Sequence, residues 1–258
     1  MEKFDIEIPG ELFTSGDNEI NFDLLKNKIL IGCCGYAKSG KDTFGNLMVS
    51  KLGFKRISFG DMLKKDLDEY MRPQIFNNLM NNGIDVKMED INFISPKSAE
   101  MKEILRPYMI WFGEVMKTTN GIHHWTNRAL SEIGDSKKIV ITDVRRVNEL
   151  ELFRFNKEQR KRKTKSLTMA EMPNVYLDFA TENEPNEDFD SLFVHINQFG
   201  LTDSDHMTMD TIRIAHENWL FDHTIHIDSR IPDKEKYREN YMYNNLIELV
   251  NKFPKYFI

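Results

Sequence analysis

The segment from Lys28 to Thr43 constrains the fold more than any other part of the sequence. It begins with KILIGCC, a short run of small and apolar residues that is typical of a buried parallel strand. GYAKSGK follows with the spacing G-x-x-x-x-G-K, in which backbone N–H groups and a helix N-terminus enclose a phosphate. Apolar residues then recur at the spacing of a helix, at Phe44, Leu47, Met48 and Leu52. The segment therefore predicts a strand, a phosphate-binding loop and a helix.

The loop offers candidate ligands for a nucleoside triphosphate and its metal ion. Lys41 is expected to hold the β- and γ-phosphate oxygens, and Lys38 adds positive charge. Asp42 stands where a serine or threonine usually follows the lysine. The hydroxyl that binds Mg²⁺ is therefore either displaced to Thr43 or replaced by the Asp42 carboxylate, which binds directly or through water. The predicted nucleotide-binding residues are Gly35, Lys38, Ser39, Gly40, Lys41, Asp42 and Thr43.

Composition limits the classes of protein to which the chain can belong. Of its 258 residues, 40% are hydrophobic and 29% are charged, which is ordinary for a soluble globular protein. The formal net charge of -6 argues against a general binder of nucleic acids or membrane surfaces. No apolar run approaches a membrane span, and the acidic residues close to Met1 do not fit a signal peptide. We therefore expect a cytoplasmic protein.

Four further apolar segments predict strands, and helical patterns alternate with them. The strands are expected near residues 54–59, 138–143, 192–197 and 224–228. A long helix is expected over 98–117, where Pro107 should break or kink it. Residues 73–95, rich in Asn and Gly, are expected to form a less regular connection. The alternation predicts a three-layer α/β fold, with a parallel sheet of about five strands and helices on both faces.

The strand expected over 138–143 ends in a carboxylate, at the edge of a parallel sheet where ligands bind. Asp143 is expected to organise Mg²⁺, directly or through water. Arg145 presents a planar guanidinium that suits the phosphate of a second substrate. A plain ion pair at the strand end is the structural alternative. In the functional interpretation the catalytic residues are Lys41, Asp143 and Arg145, and the metal ligands are Asp42, Thr43 and Asp143.

Two sequence blocks together resemble a known family. GYAKSGKDT at 35–43 and DVRRVNE at 143–149 resemble the phage-type deoxynucleoside monophosphate kinases, which carry G-x-x-x-S-G-K-D-T and D-x-R-x-x-x-E. Two weaker matches are Arg106 through Gly113 to Trp125, and residues 203–206. The resemblance implies a P-loop kinase fold with ATP and Mg²⁺ as cofactors. It implies phosphorylation of a deoxynucleoside 5′-monophosphate to the diphosphate, in the host cytoplasm if the protein is viral.

The resemblance also suggests how the chain is organised. Residues 28–258 are expected to form the kinase domain, and residues 1–27 an N-terminal extension. Residues 154–190 carry a basic run followed by an acidic run, which predicts a solvated insertion. Residues 198–215 are a candidate lid.

The predicted acceptor site lies outside the phosphate loop, and several of its residues have a structural alternative. Lys64 either contacts the acceptor or lies on a solvated helix face. Trp125 belongs to the core or to the wall of the acceptor pocket, with base stacking as a further alternative. Glu149 either accepts a hydrogen bond from the sugar or base, or faces solvent. The predicted substrate-binding residues are Asp61, Lys64, Arg106, Trp125, Arg145 and Glu149.

Two other functions remain open at this point. One is a P-loop phosphotransferase that acts on a sugar, a coenzyme or the 5′ end of a polynucleotide; the other is a non-catalytic NTP-binding module. The Asp-x-Arg pair favours a kinase with a phosphorylated acceptor, because an arginine at the strand edge needs an anion to bind. The expected partners are small-molecule nucleotides, without a membrane or stably bound nucleic acid, and a homodimer is left open.

Overall fold

The computed structural model describes residues 4, 6–14, 16–154, 189–198, 206–218, 220–227 and 234–257. Most of the predicted insertion, and residues 199–205 of the candidate lid with most of the weak match at 203–206, lie outside these ranges. The chain divides into two compact units. The first unit comprises Met1–Asn21 and Ile57–Gly134, and the second comprises Phe22–Arg56 and Asp135–Ile258. No helix in the described ranges combines the length and the apolar character that crossing a bilayer requires.

A five-stranded sheet forms the centre of the second unit. Its strands are β1 (Ile29–Cys34), β2 (Lys55–Ile57), β3 (Lys138–Val144), β4 (Asp190–Gln198) and β5 (His223–Ile227). They lie in the order β2-β3-β1-β4-β5. Strand β1 pairs in parallel with both β3 and β4, and β4 pairs in parallel with β5. The loop after β1 therefore leaves the sheet at the edge where β3 and β4 also end, which is where open α/β sheets bind ligands.

The α-helices among the described residues lie between the strands and after β5, and four of them lie between β2 and β3. Their bounds are α1 Lys41–Leu52, α2 Phe59–Asp66, α3 Arg72–Asn81, α4 Ala99–Asn120, α5 His124–Ser131, α6 His206–Glu217 and α7 Lys234–Lys252. A π-helical turn, Leu67–Met71, joins α2 to α3.

Side chains of a strand alternate between the two faces of its sheet. Leu192, Val194 and Ile196 of β4 accordingly pack into one core cluster with residues of α1 and α7, whereas Phe193 stacks on Phe153 outside that cluster. The prediction of a three-layer α/β fold with five strands is confirmed.

The first unit is helical and surrounds its own apolar cluster. Residues of α3, α4 and α5 form this cluster, and Phe4, Ile6, Ile8 and Leu12 of the N-terminal segment pack against it. The ring of Phe4 lies 4.5 Å from that of Tyr108, centroid to centroid. The N-terminal segment thus contributes apolar contacts to the first unit.

Two sequence expectations for the first unit are corrected in part: residues 73–95 contain a helix, and Pro107 does not break the helix that carries it. Residues 73–95 are not irregular throughout, because α3 occupies Arg72–Asn81. Pro73 suits the first turn of that helix, and Ile75 and Leu79, one turn apart, are both buried. Helix α4 runs through Pro107 without ending there. Buried side chains on both sides of the proline, at Leu105, Tyr108 and Phe112, hold both halves of the helix in the core.

Gly32 of β1 allows an aromatic ring to lie directly against the sheet. A Cβ atom at Gly32 would overlap the ring of Phe153, which is itself stacked on Phe193 at 4.5 Å between centroids. We expect Gly32→Ala to lower the free energy of unfolding by about 1 to 3 kcal/mol, since the stacked rings cannot move aside freely. Urea titration measures the change. Gly10→Ala is the control, because a Cβ atom there meets nothing within 4 Å; equal losses in both variants would contradict the overlap.

Candidate active site

The loop after β1 has the backbone geometry of a tight turn that ends in a helix. Gly40 is the N-cap of α1 and has a φ of 100°, in the left-handed region that favours glycine. Lys38 also has a positive φ, of 62°. A Cβ atom at Gly35 would overlap the carbonyl oxygen of Ile196 on β4. Glycine is therefore required at Gly35 by close packing and favoured at Gly40 by its dihedral angle, and the predicted strand-loop-helix segment is confirmed.

Lys41 places its ammonium inside the loop. Only 5% of the residue is exposed, and Nζ donates hydrogen bonds to the carbonyl oxygens of Gly35 at 2.7 Å and Tyr36 at 2.5 Å. Burial lowers the pKa of Lys41, and the nearby positive charge of Arg145 lowers it further. The positive charges of Lys41 and Arg145 lie near each other, and together they favour the binding of an anion beside the loop.

Asp42 points away from the loop interior. Its side chain is 79% exposed and forms an ion pair with Arg56 of β2, at 2.8 Å between Oδ1 and Nη2. The same guanidinium donates through Nε to the hydroxyl of Thr142, the residue before Asp143, at 3.2 Å. Arg56 therefore connects the first turn of α1 to the end of β3, and sequence analysis did not single it out.

The end of β3 carries the second set of candidate residues. Asp143 is half-buried on the strand, and Arg145 is exposed on the turn that follows. Glu149 is only 6% exposed, and its Oε2 accepts hydrogen bonds from the backbone N–H groups of Arg145 and Arg146. Burial raises the pKa of Glu149 to about 7, and the charge of Asp143 adds to the shift. The solvent-facing alternative for Glu149 is wrong, because these backbone bonds draw the carboxylate into the turn.

The oxygen atoms near the loop fit a hard cation. Thr43 is half-buried on the first turn of α1, and Asp143 lies at the end of the neighbouring strand β3. Mg²⁺ is usually bound by one or two protein oxygen ligands together with phosphate oxygens and water, and needs no closed protein cage. Within the described residues, no group of three or more His, Cys, Asp or Glu side chains could hold a metal ion. This donor set therefore fits a Mg²⁺ ion that arrives with a nucleotide.

No protein-family model and no curated protein sequence matches this chain. Among solved structures, the chain is similar to a candidate kinase from Chloroflexus aurantiacus, with 12% identity over 90% of this chain and 99% of that chain, and a TM-score of 0.36. It is also similar to dephospho-CoA kinase from Campylobacter jejuni, with 13% identity over 88% of this chain and 98% of that chain, and a TM-score of 0.29. TM-scores this low do not support a conclusion about function.

The remaining predicted residues lie in the first unit, where three of them form local ion pairs. Asp61 accepts a hydrogen bond from Lys64 at 2.9 Å, one turn along α2. Arg106 of α4 binds both carboxylate oxygens of Glu103 at 2.9 Å. Their predicted contact with an acceptor stays a prediction, since each side chain keeps partial exposure on its helix.

Trp125 belongs to the core of the first unit. It is 8% exposed, lies 5.8 Å from Phe112 between ring centroids, and donates its indole N–H to the carbonyl oxygen of Gly113 at 3.0 Å. The core alternative of the sequence analysis is therefore confirmed. Its place in the wall of an acceptor pocket stays a prediction.

Sequence reasoning missed two polar contacts on α6. Thr211 donates its hydroxyl to the carbonyl oxygen of Arg145 at 2.7 Å. His216 contacts Nδ1 of His195 on β4 at 3.1 Å, and burial, with the neighbouring His216, lowers the pKa of His195 to about 4. No pattern in the sequence marks either contact, because both join residues distant along the chain.

Proposed function

We propose that the chain is a kinase that transfers the γ-phosphoryl group of ATP to a deoxynucleoside 5′-monophosphate, giving the diphosphate. One observation carries the proposal: Lys41 lies inside a phosphate loop, and Arg145 lies near enough for its charge to lower the pKa of Lys41. Two cations brought together at the end of a parallel sheet favour a ligand with several negative charges. A donor phosphate and an acceptor phosphate together meet that description.

The donor side of the reaction rests on the loop. The backbone of the loop from Gly35 to Gly40 would enclose the β-phosphate, and the N-terminus of α1 favours negative charge there. Lys41 would exchange its carbonyl partners for β- and γ-phosphate oxygens, and Lys38 would add charge at the rim. Phosphoryl transfer needs mainly positioning and neutralisation of charge, which these groups supply.

Thr43 and Asp143 are the residues that would hold Mg²⁺. When bound, the ion would neutralise charge on the phosphates. Asp42 would contribute through water, because its carboxylate already pairs with Arg56. Asp143 would therefore be the more important of the two carboxylates.

Arg145 would bind the phosphate of the acceptor, since its guanidinium can donate two parallel hydrogen bonds to one phosphate. We favour a free nucleotide over a polynucleotide, because the chain carries a formal net charge of -6. We therefore propose that the chain acts in the cytoplasm, where free nucleotides are present.

A panel of acceptors tests the proposed function. ATP and Mg²⁺ are supplied with each common ribo- and deoxynucleoside 5′-monophosphate, and ADP release is followed by a coupled assay. At least one deoxynucleoside monophosphate is expected to give the highest kcat/KM of the panel. An oligodeoxynucleotide with a free 5′-hydroxyl, a hexose and a nucleotide-like coenzyme represent the other phosphotransferases.

Each result of the panel decides between the candidate functions. Turnover of the oligonucleotide, the hexose or the coenzyme alone would replace the proposed acceptor. ATP binding without turnover of any acceptor would favour the NTP-binding module. Omission of Mg²⁺ should abolish turnover, and EDTA followed by added Mg²⁺ should restore it.

A further inference from the structure

The turn that carries Arg145 is bound by a buried carboxylate. Oε2 of Glu149 accepts the backbone N–H of Arg145 at 2.7 Å and that of Arg146 at 3.0 Å. These are charge-assisted bonds when Glu149 is ionised, and such bonds are stronger than neutral ones. The two N–H groups of the turn are thus held by one oxygen atom.

A second side chain holds the other polar group of Arg145. The hydroxyl of Thr211, on α6, donates to the carbonyl oxygen of Arg145 at 2.7 Å. Thr211 is fully buried, and Glu149 nearly so, whereas Arg145 itself is exposed. Both backbone hydrogen-bonding groups of Arg145 are therefore anchored inside the protein while its guanidinium stays accessible.

The backbone bonds of Glu149 cap the short helical turn, and they also fix the backbone that carries Arg145. A buried carboxylate destabilises a fold unless it is hydrogen-bonded, and the charge of Asp143 makes its ionisation less favourable. The compensating bonds go to the residue that presents a cation beside the phosphate loop and to its neighbour. A fixed backbone determines the direction in which a side chain leaves it, so these bonds set the point and the direction from which the Arg145 side chain extends.

We propose that Glu149 and Thr211 are positioning residues that hold Arg145 in the direction required to bind the acceptor phosphate. The inference rests on the proposed function, and it reassigns Glu149 from a contact with the sugar or base to a support of the turn. It also explains the spacing between Arg145 and Glu149 in the D-x-R-x-x-x-E block, because the glutamate must reach back to the N–H of the arginine. Helix α6 becomes part of the acceptor site through Thr211.

Kinetics with conservative variants test the role of Thr211. Thr211→Val keeps the shape of the side chain and removes the hydroxyl, and we expect it to raise the acceptor KM or lower kcat by about tenfold or more, since misplacement by an ångström is costly. The KM for ATP should stay within about twofold, because Lys41 and the loop are unchanged. Thr211→Ser should restore acceptor use. Glu151→Gln, an exposed carboxylate two residues after Glu149, should behave as wild type.

A double-mutant cycle separates positioning from a purely structural role. If Thr211 acts through Arg145, Thr211→Val should change acceptor kinetics by less than about twofold in an Arg145→Ala background. A structural role would instead lower activity by the same factor in both backgrounds. Additive effects in this cycle would overturn the proposal for Thr211.

Amide hydrogen exchange tests the support of the turn without reference to any substrate. The N–H groups of Arg145 and Arg146 should exchange slowly in the wild-type protein, and about tenfold faster or more in Glu149→Ala. Glu149→Gln, which keeps an acceptor oxygen, should be intermediate and serves if the alanine variant does not fold. Unchanged exchange in Glu149→Gln and Glu149→Ala would overturn the role of Glu149. If the wild-type protein phosphorylates no monophosphate, the proposed function fails. If the N–H groups of Arg145 and Arg146 are nevertheless protected from exchange by Glu149, the support of the turn by Glu149 still stands.

Discussion

Replacing Lys41 by alanine is expected to lower kcat by about a hundredfold to a thousandfold or more. A single charged contact to the transition state in a dry site is commonly worth about 3 to 4 kcal/mol. The Nζ atom of Lys41 lies within the loop and donates to two carbonyl oxygens, so the alanine variant loses the positive charge at that place. Steady-state kinetics with the best acceptor of the panel measure the loss.

Two controls accompany the Lys41 variant. Lys51→Ala removes an exposed lysine from the same helix and should keep wild-type kcat. The unfolding midpoint of Lys41→Ala shows whether the loop tolerates the loss of the ammonium, and Lys41→Met keeps most of the side-chain volume if it does not. A folded variant that retains a tenth of the wild-type kcat would remove Lys41 from the mechanism.

Asp143→Ala is expected to have the second largest effect, a loss of about a hundredfold or more in kcat. Asp42→Ser should keep measurable activity with an altered Mg²⁺ requirement. The reason for the difference is structural: Asp42 is exposed and paired with Arg56, whereas Asp143 is half-buried at the end of the strand beside the loop. Titration of Mg²⁺ at saturating ATP compares the two variants.

Asp135→Asn provides the matched control for Asp143. It removes an exposed carboxylate just before β3 and should leave the Mg²⁺ dependence unchanged. Equal, small effects of Asp143→Ala and Asp42→Ser would contradict the assignment of the metal ligands. A large effect of Asp42→Ser alone would move the ligand to the loop.

The segment around the phosphate loop could be predicted because its signals are local. The apolar run of β1, the glycines and the helical repeat at Phe44 and Met48 all lie within one continuous stretch. Helix α3 was missed because the Asn-rich composition of 73–82 is also typical of loops, and only burial of Ile75 and Leu79 distinguishes the two. Pro107 does not break α4, because the cost of a proline within a helix is set against the packing of neighbouring side chains.

The candidate site divides in the same way. Lys41 and Asp143 could be named because a loop motif and a strand end place them. The hydrogen bonds of Glu149 to the turn could have been predicted, because Glu149 lies three residues after Arg146, which is the spacing of a capping box. Arg56 and Thr211 had none, because the hydrogen bonds they make to Thr142 and to Arg145 span 86 and 66 residues.

Local spacing in the chain was thus sufficient for the strand-loop-helix segment and for the five strands of the sheet. These features depend on backbone conformation and side-chain periodicity, which neighbouring residues largely decide. The tertiary structure alone decided which distant side chains hold the candidate site residues in place: Arg56 on Asp42, and Thr211 on the turn of Arg145. Such partners meet only when the sheet and its covering helices pack together, and no local pattern encodes a contact between distant residues.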